Sequence, residues 1–145
     1  LKTNKLSKPW KSADFHMVGE LTVPRLNISR VILNSVSGEA MSWGIGRVND
    51  TNRLSMNAPT VLAGHRDSHM KFMSKLNVGD RIEVIMSDGI LKQYIITHTE
   101  ITKKPTLQIP MIAKKQDGLI LTTCWPFNAL KQGDQRYVIY SKQVS

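Results

Sequence analysis

The sequence predicts a single all-β domain, a barrel or a sandwich, that also contains a few short helices. Its 145 residues are enough to close one hydrophobic core. Seven or eight short runs rich in Val, Ile and Leu are separated by turn residues, a spacing typical of those two folds. Hydrophobic residues make up 41% of the chain and charged residues 21%, which is the composition of a globular rather than a disordered protein.

Each predicted strand is a short apolar run that ends at a turn or a polar cluster. Pro24 interrupts the first run, and proline is tolerated at a strand start or at the edge of a sheet. No run reaches the length of about 20 apolar residues that crosses a bilayer. In chain order the runs are ELTVPRLNI (20–28), RVILNSV (30–36), PTVLAGH (59–65), DRIEVIM (80–86), ILKQYIITHTEIT (90–102), GLILTTC (118–124) and RYVIYSK (136–142).

The strongest local signal is a hairpin that joins residues 80–86 to residues 90–102. Alternate residues from Ile82 to Met86 are apolar, as in a strand with one buried face. Asp88 and Gly89 stand between the two runs, and both residue types tolerate the positive φ angles of a tight hairpin turn. The sequence therefore predicts two consecutive antiparallel strands here.

Three short helices are predicted between the strands. Over residues 67–76, apolar side chains recur every three positions from Met70 to Leu76, which indicates one to two helical turns. A second turn is predicted over residues 38–46, where glycines end it. A third is predicted over residues 109–118, with a proline in its first turn.

The chain carries a formal net charge of +9, from 20 Lys and Arg against 11 Asp and Glu. Such an excess attracts polyanions, anionic lipid or an acidic cell envelope. No helix-turn-helix, zinc-finger or RNP pattern accompanies the charge, so we expect no nucleic-acid partner. We interpret residues 1–20 as a basic arm, or a solvated terminus, and residues 21–145 as the domain. Because Leu1 stands where a Met would begin a chain, we expect a lost membrane anchor before the arm.

Three polar residues stand at the ends of predicted strands: His65, Cys124 and Arg136. Cys124 and Arg136 bound the connection between consecutive strands, so antiparallel pairing would put both at one edge of the sheet. His65 joins them if its strand ends at that edge. A thiolate attacks acyl carbons, a guanidinium can stabilise the resulting oxyanion, and an imidazole can transfer the protons. The three side chains are therefore a sufficient set for thioester-forming peptide chemistry.

Each of these residues also has an ordinary structural interpretation. Cysteine is among the most buried residue types, so Cys124 can be an inert core residue. The imidazole of His65 can be hydrogen-bonded within a loop, and Arg136 can be solvated at a strand start. A single cysteine excludes an internal disulfide and a multi-cysteine metal site. The residue types alone leave the catalytic and structural interpretations open.

The local sequence around the three residues resembles the sortases, cysteine transpeptidases of bacterial surfaces that fold as an eight-stranded β-barrel. The family pattern Thr-Leu-x-Thr-Cys is similar to Ile120–Cys124, with Ile120 in place of the first Thr. Ala63-Gly64-His65 matches the Ala-Gly-His that ends the fourth strand, and Arg136 matches the Arg that begins the eighth.

The resemblance runs from about Leu21 to Tyr140 and includes the opening VPRLNISRVILNSVSGEAM (23–41). Trp125-Pro126-Phe127, directly after the cysteine, is most similar to the variety found in Gram-negative bacteria. The resemblance thus covers nearly the whole predicted domain, and it implies an all-β, eight-stranded sortase-like barrel with a few short helices.

The resemblance implies a transpeptidase that cleaves a Leu-Pro-x-Thr-Gly-like sorting signal between Thr and Gly, near the carboxyl terminus of a partner protein. Cys124 would attack the Thr carbonyl to form a thioacyl-enzyme, Arg136 would stabilise the oxyanion, and His65 would protonate the leaving amine. The acyl group would then pass to an amine acceptor. The resemblance further implies a monomer outside the cytoplasm, attached to the cytoplasmic membrane, at its periplasmic face in a Gram-negative cell.

No cofactor is expected, and no metal, because the acidic side chains that bind calcium in some members have no clear counterpart. We expect six residues to border the substrate, although strand or core packing also accounts for the threonines and the aliphatic residues. They are Ala63, Leu107, Ile109, Thr122, Thr123 and Trp125.

Two other functions remain open from the sequence. One is a non-catalytic β-barrel module that binds an anionic envelope component and buries an inert Cys124. The other is a plain cysteine peptidase that hydrolyses peptides without an amine acceptor. A thiol that reacts in the folded protein would speak against the binding module, and acceleration by added amines would speak against the peptidase.

Overall fold

Eight strands close into a barrel in the computed structural model, which describes residues 15–48, 60–103, 118–125 and 135–145. The predicted all-β fold is confirmed, and the closed barrel decides between the two predicted architectures. The strands are β1 (Met17–Val23), β2 (Ile28–Leu33), β3 (Ile45–Arg47), β4 (Thr60–Ala63), β5 (Arg81–Met86), β6 (Leu91–Lys103), β7 (Gly118–Trp125) and β8 (Gln135–Gln143). Around the barrel they follow the order β1-β2-β3-β4-β7-β8-β6-β5.

Two of the eight strand pairings are parallel and the others are antiparallel. The parallel pairs are β2 with β3 and β4 with β7. Parallel strands end at the same edge of a sheet, so the carboxyl ends of β4 and β7 lie together. Strand β8 then pairs antiparallel with β7, which brings the start of β8 to that same end of the barrel.

The barrel interior is filled by alternate residues of the strands. In β5, Ile82 and Val84 are buried, whereas Arg81 is exposed and Glu83 is half-buried, as the predicted alternation requires. The buried residues of the interior form one cluster: Leu21, Val23, Ile32, Ile45, Leu62, Met70, Phe72, Met73, Leu76, Ile82, Val84, Tyr94, Ile96, Leu119, Leu121 and Ile139.

A second buried cluster lies on the opposite face of β4, β7 and β8. It contains Val61, Ile120, Val138 and Tyr140, at positions that alternate with those of the interior. From Leu119 to Leu121, strand β7 is therefore buried on both faces. This explains why its sequence is an unbroken apolar run rather than an alternating one.

Short helical turns occupy two of the predicted positions. Helix α1 spans Gly38–Met41, and the Ser37 hydroxyl accepts a hydrogen bond of 3.1 Å from the Ala40 N–H at its start. The helix predicted over residues 67–76 is a turn followed by a 3₁₀ helix, Lys71–Lys75. Met70, Met73 and Leu76 are buried three residues apart, as the sequence predicted, which matches the three residues per turn of a 3₁₀ helix, and Phe72 is buried as well.

Pro24 begins a further 3₁₀ helix, Pro24–Leu26, between β1 and β2, rather than lying within a strand. Proline suits a first helical position because its missing N–H would have no partner there. Asn27 follows with φ at 53°, and its N–H donates to the Pro24 carbonyl over 3.1 Å. This tight turn reverses the chain into β2.

The hairpin between β5 and β6 is present as predicted. The Gly89 N–H donates to the Met86 carbonyl over 2.9 Å, and the Asp88 carboxylate accepts from the Ile90 N–H over 2.8 Å. Gly89 has φ at 83°, whereas Asp88 keeps a negative φ. One left-handed residue is therefore sufficient to close this turn.

Two sequence predictions fall on parts of the chain outside the described residues. One is the third short helix, of which only Gly118 is described, as the first residue of β7. The other is most of the basic arm, since description begins at residue 15 and β1 starts at Met17, inside the range 1–20. Among the described residues, no helix combines the length and apolar character needed to cross a membrane.

Candidate active site

The three predicted catalytic residues belong to neighbouring strands, β4, β7 and β8. In the parallel β4–β7 pair, Ala63 is the register partner of Thr122. His65 follows Ala63 by two residues, and Cys124 follows Thr122 by two residues. The backbone positions of His65 and Cys124 therefore continue the same register at the carboxyl ends of both strands.

Arg136 lies directly opposite Cys124 in the antiparallel β7–β8 ladder. Directly opposed residues of such a ladder have Cα atoms about 4.5–5.5 Å apart and project from the same face. The antiparallel pairing that the sequence suggested for these two strands is thus present. The topology brings the backbones of all three residues to one end of the barrel.

A buried hydrogen bond fastens the end of β4 to β7 beside this point. The Thr123 hydroxyl donates to the Gly64 carbonyl over 2.8 Å, and Thr123 is only 1% exposed. Both bonded residues are sequence neighbours of the catalytic candidates His65 and Cys124. The bond therefore fixes the backbone from which His65 projects relative to the strand that carries Cys124.

Gly64 is required at the junction because there is no space for a side chain. A Cβ atom there would lie 2.6 Å from Met70 Cγ and 3.2 Å from Ile45 Cγ2, both in the packed interior. The close approach lets the chain turn directly out of β4 into the segment that leads to the 3₁₀ helix Lys71–Lys75. The Ala-Gly-His sequence thus has a packing reason for its glycine.

The main chain of His65 anchors the turn that follows it. Its carbonyl accepts hydrogen bonds from the Met70 N–H over 3.0 Å and the Ser68 N–H over 3.3 Å. The side chain of His65 is exposed, so it can exchange protons with solvent and with a bound ligand. The Asp67 carboxylate lies 3.4 Å from Nε of the buried Arg66.

Arg136 is half-buried, and its Nε has no hydrogen-bond partner within the part of the chain that the structure describes. Buried N–H donors are normally paired, and an unpaired one costs about 1–3 kcal/mol. The guanidinium therefore holds a donor that a bound ligand or a rearranged neighbour can use.

Cys124 occupies the second-to-last position of β7. Alternation along the strand assigns position 124 to the face shared with Ile120 and Thr122, opposite the face of Leu119 and Leu121 that fills the barrel interior. The backbone of Cys124 therefore lies near the end of β7 and not in the middle of the strand.

Three of the residues expected to contact substrate have described side chains. Ala63 is the half-buried last residue of β4. Thr122 and Thr123 are each 1% exposed, and their hydroxyls differ: Thr123 Oγ1 is bonded to Gly64, whereas Thr122 Oγ1 has no partner among the described residues.

The side chains of the other three residues expected to contact substrate are not among those that the structure describes. Trp125 is the last residue of β7 and the register partner of Gln135, and its side chain is outside what the structure describes. Leu107 and Ile109 lie outside the described residues.

Two features of this end of the barrel were not found from the sequence. Thr102 of β6 lies directly opposite Arg136, on the side of β8 away from β7. Farther along the same face, the Tyr140 hydroxyl donates to Glu100 Oε1 over 3.2 Å, and the Tyr140 ring stacks on His98 with centroids 4.3 Å apart. Burial, and then the Glu100 carboxylate, raise the pKa of Tyr140 to about 12, so Tyr140 keeps its proton at neutral pH.

Comparison with known proteins gives a family model described as a sortase domain, which matches residues 21–144. At the sequence level, the chain is similar to a protein named Sortase D from Bacillus subtilis (strain 168), with 32% identity over 127 residues. The matched region is 88% of this chain and 64% of that relative, so the chain spans less than two thirds of the relative's length. This similarity gives no support to the predicted likeness to the Gram-negative variety, which stays a prediction.

The fold is similar to solved structures of other proteins named as sortases. Sortase C1 of Streptococcus agalactiae superposes with a TM-score of 0.72 at 20% identity, over 88% of this chain and 66% of that one. Sortase C1 from Streptococcus suis superposes with a TM-score of 0.74 at 15% identity, over 89% of this chain and 73% of that one. At such identities the superpositions establish the fold.

Proposed function

The chain belongs to the sortase family, and from this membership we propose that it is a cysteine transpeptidase acting on a Leu-Pro-x-Thr-Gly-like sorting signal. The bond cleaved is the one between Thr and Gly. The observation that carries the proposal is the strand register, which gathers the backbones of His65, Cys124 and Arg136 at one end of the barrel.

The first half of the reaction forms a thioester. The Cys124 sulfur, as thiolate, attacks the Thr carbonyl carbon, and the carbonyl oxygen becomes an oxyanion. The Arg136 guanidinium donates to that oxygen. When the tetrahedral intermediate collapses, the C–N bond breaks and protonated His65 gives its proton to the Gly nitrogen.

The second half transfers the acyl group. An amine acceptor attacks the thioester carbon, neutral His65 takes the proton from its nitrogen, and the C–S bond breaks to return the Cys124 thiolate. Each proton that His65 gives in the first half is regained in the second, so the enzyme is unchanged after one cycle. Water in place of the amine gives slow hydrolysis.

Two features of Arg136 and His65 support these roles. Arg136 is the direct ladder partner of Cys124, a position from which its guanidinium can donate to a negative charge that develops beside the nucleophile. His65 is exposed on a backbone fixed by the Thr123–Gly64 hydrogen bond, which suits a group that must move protons from a defined position.

The substrate peptide is proposed to lie against the carboxyl ends of β4 and β7. Ala63 and Thr122 border it there, and the Thr122 hydroxyl, which has no partner among the described residues, can donate to or accept from a peptide group. Because the Thr123 hydroxyl is already bonded, Thr123 would contact substrate through its methyl group or main chain. Trp125, Leu107 and Ile109 complete the proposed set.

The proposed partners are a protein that carries the sorting signal and an amine acceptor. We place the reaction outside the cytoplasm, on a monomer attached to the cytoplasmic membrane. The proposal requires neither a cofactor nor a metal ion, since the three side chains supply the nucleophile, the oxyanion donor and the proton carrier.

Cleavage of a sorting-signal peptide in the presence and absence of hydroxylamine or diglycine tests the proposal. Mass spectrometry should find cleavage between Thr and Gly, an amine-bearing acyl product, and no reaction with Cys124→Ala. Cleavage by Cys124→Ala would contradict the proposal. Products that ignore the added amine would favour a plain cysteine peptidase, and a Cys124 thiol inert to alkylation in the folded protein would favour a binding module.

A further inference from the structure

Three buried side-chain atoms lack a hydrogen-bond partner in the described ranges, and all three belong to one face of β6, β8 and β7. They are Thr102 Oγ1, Thr122 Oγ1 and Arg136 Nε. Thr102 is the direct partner of Arg136, and Thr122 is the partner of Val138, two residues along β8 from Arg136. Opposed residues, and alternate residues of one strand, share a face of the sheet.

This grouping is not explained by packing. An unpaired buried hydroxyl costs about 1–3 kcal/mol, and a valine would fill the space of a threonine without that cost. The unpaired atoms also lie on the face to which strand alternation assigns Cys124. A local loss of stability at the predicted catalytic site indicates that the polar atoms serve the reaction.

Thr102 and Arg136 are complementary in hydrogen bonding. The Nε–H of arginine can only donate, and the hydroxyl of threonine can accept. Direct partners in an antiparallel ladder have Cβ atoms about 4.5–5.5 Å apart, which a change of side-chain rotamer can convert into a hydrogen bond. We propose that Thr102 is a positioning residue for Arg136, whose Nε–H donates to Thr102 Oγ1 when substrate is bound. The inference rests on the oxyanion role proposed for Arg136.

The consequence is a defined orientation of the guanidinium. Strands β6 and β7 flank β8 on opposite sides, so fastening Nε of Arg136 toward Thr102 leaves the two Nη groups for the side of Cys124. A guanidinium group held in this way loses little further conformational entropy when its Nη groups bind the oxyanion. The nearest acid on the same face of β6, Glu100, already accepts a hydrogen bond from Tyr140.

The test replaces the hydroxyl while keeping the shape of the side chain. Thr102→Val should lower kcat about 10- to 100-fold, the effect of losing a hydrogen bond to a charged group, and leave KM nearly unchanged. Thr102→Ser should keep most of the activity. The melting temperature of Thr102→Val should be unchanged or higher, because an unpaired polar atom is removed. Thr99→Val, an exposed site on the same strand, is the matched control.

A second cycle separates this inference from the proposed function. In an Arg136→Lys background, where no Nε–H remains, Thr102→Val should cause no further loss of kcat. A normal kcat for Thr102→Val beside an impaired Arg136→Lys would overturn the inference alone. A normal kcat for Arg136→Lys would overturn the oxyanion role as well. A Thr102→Ser variant as slow as Thr102→Val, or a lowered melting temperature of Thr102→Val, would assign Thr102 a structural role instead.

Discussion

At the scale of single residues, the side chains of Arg136 and His65 are each expected to contribute little to folding. Arg136 is half-buried, and its Nε has no hydrogen-bond partner among the described residues, so we expect this donor to add little to folding. His65 is exposed, and its structural contribution comes from its main-chain carbonyl, which any residue can supply. Both side chains can therefore be removed with a small effect on stability.

Substitution of either side chain is therefore predicted to change activity much more than stability. Arg136→Ala should lower turnover of a sorting-signal peptide about 100- to 1,000-fold, the usual effect of removing an oxyanion donor. His65→Ala should lower it about 100- to 10,000-fold. Thermal unfolding of both variants should stay close to that of the unchanged protein, and Lys142→Ala, at an exposed position of β8, is the control. Near-normal turnover of either variant would remove that residue from the mechanism.

At the scale of elements, the site depends on how β4 is joined to β7. The two strands form a parallel pair of only four register positions, and the Thr123–Gly64 hydrogen bond extends their attachment beyond the last of these. Because His65 follows Gly64 directly, a looser junction would let the imidazole move relative to position 124.

Thr123→Val tests the junction. The change keeps the shape of the side chain but leaves the buried Gly64 carbonyl without its donor, so unfolding free energy should fall by about 1–3 kcal/mol. Activity should fall as well, and Thr123→Ser should restore both. Denaturant unfolding and peptide turnover measure the two effects. If Thr123→Val is as stable as the unchanged protein, the hydrogen bond does not hold the two strands.

The sequence predicted the individual strands better than it predicted which strands lie next to each other in the barrel. Alternation and β-branched runs locate a strand such as β5 because those signals act within a few residues of the chain. The parallel contact of β4 with β7 is set by barrel closure, and no local pattern near His65 encodes it. From the sequence, we could predict only that His65 lies near Cys124 if the strand that precedes His65 ends at the same edge of the sheet as the strand that contains Cys124.

Thr102 was missed for a related reason. It is an ordinary threonine in a long β-like run, and only the β6–β8 register makes it the partner of Arg136. That register shifts between Ile96 and His98, so counting along the strands from an ideal pairing would assign the wrong partners. The local sequence identifies residues whose side chains can take part in catalysis, whereas the pairing of the strands determines which of these residues lie close together.

At the scale of the whole molecule, an ion pair ties the chain after β1 to the start of β5. The Arg25 guanidinium donates to both carboxylate oxygens of Asp80, over 2.9 Å and 2.8 Å, and the Asn77 N–H donates to the same carboxylate over 2.8 Å. The hydrogen bond from Arg25 holds the pKa of Asp80 below its usual value, although partial burial opposes this. Arg25 is 47% exposed, so solvent screening keeps the contribution modest.

This pair predicts a pH dependence of stability. Because the pKa of Asp80 is lower in the folded state, its stabilisation is present above the unfolded value of about 3.9 and is lost as pH falls through the folded value. Asp80→Asn should therefore lower the unfolding free energy by about 1 kcal/mol at neutral pH and make no such difference in strong acid. Urea unfolding at several pH values measures this, and an equal deficit at all pH values would contradict it.

Closure of the barrel should bring three residues that are distant in sequence, His65, Cys124 and Arg136, close together at one end of β4, β7 and β8. Cys124 is the only cysteine, so a second cysteine introduced at a chosen site reports its distance by disulfide formation. His65→Cys and Arg136→Cys should each oxidise to an intramolecular disulfide, which requires Cα atoms within about 4.4–6.8 Å. Lys142→Cys, at the far end of β8, should not. Intact-mass spectrometry that finds free thiols in both of the first two variants under oxidising conditions would contradict the account.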